Sequence, residues 1–254
     1  MEQIKSDKHL RPRAIITVDL FGHPADYTSI CKIAADENID LIVDAAQSFG
    51  ASHKGEKVGN IGKFTCTSFF PAKPLGCYGD GGAIFCDNAE EAEVLRSLRV
   101  HGRGEGGKYD NVRVGTNTRI QTIQAAVLIE KLKIFPKEIE MRQKVANIYS
   151  SELDKLVEVP KVADGCRSIW AQYTIKSPKR DQLSDFLKRH QIPTQIYYAK
   201  PLHTQQPYSH YITAEDGLPN TLKLSETVLS LPMHPYLSEQ VQDFMISKVK
   251  KFFS

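Results

Sequence analysis

The stretch from Arg13 to Asp44 constrains the fold of this chain most strongly. Arg13-Ala-Ile-Ile-Thr-Val-Asp19 is a β-branched apolar run of strand length, and Gly22 and Pro24 then break the chain. From Asp26 onward, apolar residues fall at Tyr27, Ile30, Cys31, Ala34 and Ala35. That spacing predicts an amphipathic helix. Asn38 ends it, and Ile39-Asp-Leu-Ile-Val-Asp44 reads as a second buried strand. Strand, helix and strand at this spacing form the βαβ unit of a parallel sheet.

Two further strands are expected at Phe64 to Phe69 and Gly82 to Phe85, with a helix over Ala89 to Val100. Thr122 to Leu132 and Pro136 to Leu156 read as two long helices, the second with proline in its first turn. Beyond Lys161 the texture changes. Ser168 to Ile175, Thr194 to Tyr198 and Val228 to Met233 read as extended, while Gln182 to His190 and Glu239 to Phe253 read as helices. Such segregation suggests a smaller α+β domain. The boundary is expected within the helix Pro136 to Leu156, giving a first domain over 1–145 and a second over 146–254.

Composition narrows the function classes. Hydrophobic residues make up 41% and charged residues 25% of 254 residues, the balance of an ordinary globular protein. A net charge of +3 is too small for a nucleic-acid footprint. The five cysteines, at 31, 66, 77, 86 and 166, show no C-x-x-C pair and read as buried free thiols in a reducing compartment. No apolar run has membrane-spanning length, and the charged N-terminus lacks the apolar core of a signal peptide. A cytoplasmic location is expected. No histidines fall at metal-ligand spacing, and neither a G-x-S-x-G elbow nor a P-loop is present. Gly102-Arg-Gly-Glu-Gly-Gly107 matches the dinucleotide pattern G-x-G-x-x-G but follows a helix rather than a strand, so it reads as a flexible loop.

Two residues invite chemistry. Asp44 ends a buried parallel strand, the edge at which open α/β sheets place ligands. It could equally cap a helix or pair with a structural lysine. Lys73 follows a strand within Ser68-Phe-Phe-Pro-Ala-Lys73-Pro and precedes the glycine-rich Gly76 to Gly82. A lone lysine is usually solvated, whereas one in a desolvated loop can act as a Schiff-base nucleophile.

Asp44-Ala-Ala-Gln47, Ser68-Phe-Phe-Pro-Ala-Lys73, Gly79-Asp-Gly-Gly82, Gly115-Thr-Asn117-Thr-Arg119 and Gln124-Ala-Ala126 resemble, in order and spacing, the DegT/StrS family of sugar aminotransferases. The likeness continues through Tyr197-Tyr-Ala-Lys-Pro-Leu-His203 and Leu229-Ser-Leu-Pro-Met-His234. It implies a fold type I pyridoxal-phosphate transferase: a partial large cofactor-binding domain with a mostly parallel sheet, followed by the small domain. It also implies pyridoxal 5'-phosphate as cofactor, joined to Lys73, which then shuttles a proton. Asp44 would hold the ring nitrogen protonated, Gln47 would contact the ring or its oxygen, and Ser68 would donate to the phosphate. Asn117 would reach the cofactor phosphate of a second copy, making the active unit a homodimer. Arg119 would support that loop or the donor carboxylate, and His203 would lie near the sugar-nucleotide pocket.

The implied reaction moves an amino group from glutamate to a keto group of a nucleotide-linked sugar. The motif around Lys73 looks most like members serving lipopolysaccharide or O-antigen synthesis, some of which aminate a UDP-linked 3-keto glucuronic acid derivative. Lys73 argues against the dehydratases of the family, which typically carry histidine there. The family's N-terminal segment has no counterpart here, so a truncated or split reading frame is expected, with weak cofactor binding and little turnover. The alternatives are a non-catalytic remnant, half of a split enzyme, or a regulatory protein that binds the cofactor.

Overall fold

A computed structural model describes residues 10–214 and 216–254. The charged N-terminal stretch, read above as no signal peptide, lies outside the described residues. The chain forms two compact units, one from Pro12–Pro136 with Asp164–Ile169, the other chiefly from Lys137–Ala163 and Trp170–Ser254.

The first unit begins with the expected strand, helix and strand: β1 (Ala14–Val18), α1 (Tyr27–Asp36) and β2 (Asp40–Asp44). Asp26 caps α1 by accepting the Ser29 amide at 3.3 Å and the Ser29 hydroxyl at 2.6 Å. A small hairpin follows, β3 (Ser52–His53) and β4 (Glu56–Lys57), then β5 (Phe64–Ser68) and β6 (Gly82–Phe85). The main sheet has the order β1-β2-β5-β6, with the first two pairings parallel and the last antiparallel. This is the mostly parallel α/β sheet that the sequence predicts. The helix α2 (Ala89–Leu98) comes next, capped by Asn88, whose side chain accepts the Glu91 amide at 2.9 Å.

Register separates the two faces of this sheet. Thr17, Val43, Thr65 and Phe85 form one cross-strand row, and the first three are buried. Behind the sheet, Phe49 packs on Phe69, Phe85 and Phe135 with ring centroids about 6 Å apart. The next row is Val18, Asp44, Cys66 and Ile84, in which Val18 is 52% and Ile84 50% exposed. Ile16, on the same face, is 68% exposed. One face is therefore packed and the other bare among the described residues.

Helix α3 (Thr122–Leu153) corrects the expectation of two helices. Pro136 lies inside it rather than opening a second one. An interior proline costs about 3 kcal/mol. Packing on both sides of it offsets this: Phe135 is buried against Phe49, while Val145, Ala146, Tyr149 and Leu153 enter the core of the second unit.

The strand expected over Ser168 to Ile175 is also interrupted. Strand β7 (Cys166–Arg167) pairs with β3, and β8 (Tyr173–Lys176) belongs to the second unit. Between them Trp170 takes φ 53, a left-handed conformation that no extended run sustains. The second unit is completed by α4 (Arg180–Arg189), α5 (Pro219–Thr227), β9 (Val228–Leu231) and α6 (Glu239–Phe253). Strands β8 and β9 pair antiparallel. The expected strand over Thr194 to Tyr198 reduces to a single bridge, Gln195 to Ser230. Pro193 has no N–H with which to extend the pairing.

The core of this unit gathers Tyr149, Leu153, Tyr173, Ile175, Leu183, Leu187, Leu229 and Val249, all at most 1% exposed. Two of its buried polar side chains bond to backbone carbonyls. The Tyr149 hydroxyl donates to the Pro232 carbonyl at 3.0 Å, and the Gln242 amide to the Val145 carbonyl at 2.8 Å. Among the described residues no helix is long and apolar enough to cross a membrane.

Candidate active site

The parallel strands β1, β2 and β5 end on one edge of the sheet, and chemistry-bearing residues collect there. Asp44 is the last residue of β2, in register with Val18 of β1 and Cys66 of β5. Its Oδ1 accepts the Ala46 amide at 3.0 Å. Among the described residues no hydrogen bond reaches Oδ2, so half of this carboxylate remains available. The neighbouring Cys66 thiol is pushed up in pKa, first by burial and then by the Asp44 charge. Gln47 lies in the turn that follows β2, and its Oε1 accepts the Phe21 amide at 2.6 Å.

Ser68 ends β5. Its Oγ accepts the Phe70 amide at 3.2 Å, which leaves the hydroxyl proton for another acceptor. Lys73 sits half-buried in the turn beyond, its backbone amide donating to the Phe70 carbonyl at 2.8 Å. Its Nζ makes no hydrogen bond or ion pair among the described residues. The loop then doubles back tightly. A Cβ on Gly76 would come within 2.7 Å of the Phe70 carbonyl oxygen and 2.6 Å of that of Pro71, so only glycine permits the path. Lys131 of α3 fastens the loop from outside by donating to the Gly76 carbonyl at 2.6 Å. Gln124 accepts the Tyr78 amide at 2.7 Å.

Asp44, Gln47, Ser68 and Lys73 thus share one sheet edge. Asn117 and Arg119 lie apart from them in sequence, on an exposed segment of the same unit, with neighbours Thr116 and Thr118 bonded to the backbone at the end of α2. His203 lies in the second unit, half-buried in the short turn Leu202–Thr204. The Gly102 to Gly107 stretch follows α2 and is bonded locally. The Gly104 amide donates to the Asp110 carbonyl at 2.7 Å and the Gly106 amide to the Asp110 carboxylate at 2.9 Å. Among the described residues no group of three or more His, Cys, Asp or Glu side chains could hold a metal ion.

One residue at this edge escaped the sequence reading. Asp19, the residue after β1, is fully buried, and its carboxylate accepts the Ala25 amide at 2.9 Å, the Ser48 hydroxyl at 2.6 Å and the Tyr27 hydroxyl. The signal was present in the sequence, since Thr-Val-Asp19 repeats the pattern of Ile-Val-Asp44, an apolar strand closed by aspartate.

Comparison with known proteins identifies the family. Residues 1–250 match the DegT/DnrJ/EryC1/StrS aminotransferase family. The chain is 44% identical over 228 residues to a UDP-2-acetamido-2-deoxy-3-oxo-D-glucuronate aminotransferase of Pseudomonas aeruginosa, covering 89% of this chain and 62% of that protein. It is 40% identical over 255 residues to a pleiotropic regulatory protein of Geobacillus stearothermophilus, covering 99% of this chain and 68% of that one. A crystal structure of a DegT DnrJ EryC1 StrS aminotransferase from Brucella abortus superposes with a TM-score of 0.97 at 50% identity, over all of this chain and 68% of that one. The chain therefore spans about two thirds of the length of the proteins it matches. It belongs to the DegT/DnrJ/EryC1/StrS aminotransferase family.

Proposed function

We propose that this chain carries the Lys73 centre of a pyridoxal-phosphate enzyme that moves an amino group from glutamate to a keto group of a nucleotide-linked sugar. The observation that carries the reading is the shared sheet edge. Among the described residues, a half-buried lysine amine without a partner, a carboxylate with a free oxygen and a serine hydroxyl with a proton to give share this edge in a member of an aminotransferase family. This donor set fits the cofactor. When bound, pyridoxal phosphate supplies an aldehyde for a lysine amine and a protonated ring that withdraws electrons.

In this reading Lys73 holds the cofactor through Nζ and, once released, takes and returns the proton on the substrate carbon. Asp44 keeps the ring nitrogen protonated through Oδ2. Gln47, tied to Phe21, faces the ring or its oxygen, and Ser68 donates its hydroxyl to the phosphate. Asn117 serves the phosphate of a second copy, Arg119 supports that segment or the glutamate carboxylate, and His203 serves the sugar-nucleotide pocket. The exposure of Asn117 and Arg119 supports a homodimer, as does that of Val112, Val114, Ile123 and Ile129 in the same unit. The Pseudomonas relative's name favours a UDP-linked 3-keto glucuronic acid derivative as acceptor. The inferred setting is lipopolysaccharide or O-antigen synthesis in the cytoplasm.

A second reading, a regulatory or non-catalytic protein that binds the cofactor, is favoured by the name of the Geobacillus relative. Incubation with pyridoxal phosphate, ¹⁵N-glutamate and the UDP-linked 3-keto acid separates the two. Label in the sugar amine, lost in Lys73→Ala, supports the enzyme. Saturable cofactor binding with no transfer of label supports the second reading.

A further inference from the structure

The edge of the sheet holds one buried carboxylate that the reading above does not use. Asp19 has no exposed surface and no cationic partner among the described residues, yet each of its three recorded partners donates to it: the Ala25 amide, the Tyr27 hydroxyl and the Ser48 hydroxyl. An acceptor-only carboxylate suits three donors. Tyr27 answers in kind, its pKa raised by burial and then by the bond to Asp19.

These contacts join two loops. The backbone amide of Asp19 donates to the Asp44 carbonyl at 3.1 Å, and its Oδ2 receives the hydroxyl of Ser48, four residues further on. Between them, the Phe21 amide donates to Gln47 Oε1 at 2.6 Å. Phe21 takes φ 62 and Gly22 φ 90, so the loop after β1 turns sharply to present that amide. The Gly22 carbonyl is fixed in turn by the Ile169 amide at 2.9 Å and the Ser168 hydroxyl at 3.1 Å. The turn from Asp44 to Ser48 is therefore gripped at its start, middle and end by the Asp19 loop.

We propose that Asp19 is a positioning residue that fixes the Asp44–Ser48 turn, and through it the Asp44 carboxylate and the Gln47 amide. The inference deepens the proposed function and rests on it for the cofactor, although the mechanical part stands alone. Asparagine cannot substitute: it offers one carbonyl oxygen and an NH₂ where all the partners are donors, so a donor is set against a donor.

Two variants separate positioning from simple bracing of the fold. Ser48→Ala cuts the link to the turn and spares α1, whereas Tyr27→Phe cuts the link to α1 and spares the turn. Amide hydrogen exchange by NMR on the cofactor-free chain reads the turn directly. Exchange at Ala46 and Ser48 is expected to rise at least tenfold in Ser48→Ala and Asp19→Asn, and less than threefold in Tyr27→Phe. Pyridoxal-phosphate affinity should fall at least tenfold in the same two variants and hold in the third. Unchanged exchange in Ser48→Ala, or an equal rise in Tyr27→Phe, would overturn the proposal. If the unmodified chain binds no pyridoxal phosphate, the cofactor reading fails, and the exchange data still decide the role of Asp19.

Discussion

The two units bury their elements in different ways. In the second, α4, α6 and the C-terminal half of α3 close around β8 and β9, and side chains such as Leu183, Leu187 and Leu229 have no exposed surface. In the first, the sheet packs Thr17, Val43 and Thr65 on one face and leaves Ile16, Val18 and Ile84 at least half exposed on the other. Parallel sheets are ordinarily covered on both faces. The candidate chemistry lies in the half-covered unit, where polar bonds at the sheet edge, rather than apolar burial on both sides, hold the loops.

The contrast breaks most easily in the second unit. Leu187→Ala should destabilise that unit by about 2–5 kcal/mol, as truncation of a fully buried leucine does. Differential denaturation should show loss of the Trp170 signal, since that residue belongs to the same core. A loss under 1 kcal/mol would mean that the core is far looser than its packing.

A smaller effect is expected in alkali. Burial, followed by the charge of Asp154, pushes the Tyr173 pKa up to about 12 against an opposing hydrogen bond from Ser150. The folded state thus favours the neutral phenol. Its contribution is complete below the unfolded pKa of 10.0 and is lost as pH rises from there through about 12. Tyr173→Phe should flatten the fall in stability between those limits, by about 1 kcal/mol at pH 11. An unchanged alkaline limb would place the titrating group elsewhere.

The smallest effect should be on the bare face. Val18→Thr keeps the β-branched shape and removes apolar surface that is already exposed, so stability should stay within about 0.5 kcal/mol while the soluble fraction rises. A loss of 2 kcal/mol or more would mean that this face is covered in solution.

Much of this architecture is legible in the sequence because the period of the apolar residues is strong. Helix α6 runs over Glu239–Phe253, the predicted span, and Ser238 caps it by accepting the Val241 amide at 3.3 Å. Strands β1, β2, β5 and β6 all fall within predicted runs. What failed depends on distant contacts. Nothing local tells that Phe135 will find Phe49 and carry the helix through Pro136, or that Trp170 will turn left-handed and divide a strand. Helix α5 has no buried residue, so its sequence shows no apolar stripe to read.

At the site, Asp44 and Lys73 stand out by type and position, and the resemblance to the family supplies roles for their neighbours. The end of an apolar strand marks Asp19 as it marks Asp44, but its bonds to Tyr27, eight residues on, and Ser48, 29 residues on, show only in the fold.

We propose that the Lys73 amine, on the same edge as Asp44 and Ser68, holds the cofactor. Borohydride reduction of the chain saturated with pyridoxal phosphate, followed by peptide mapping, tests it most directly. One labelled peptide is expected, carrying the cofactor on Lys73, with Asp44→Ala reducing the labelling and Lys73→Ala abolishing it. Label spread over surface lysines, or undiminished in Lys73→Ala, would contradict it.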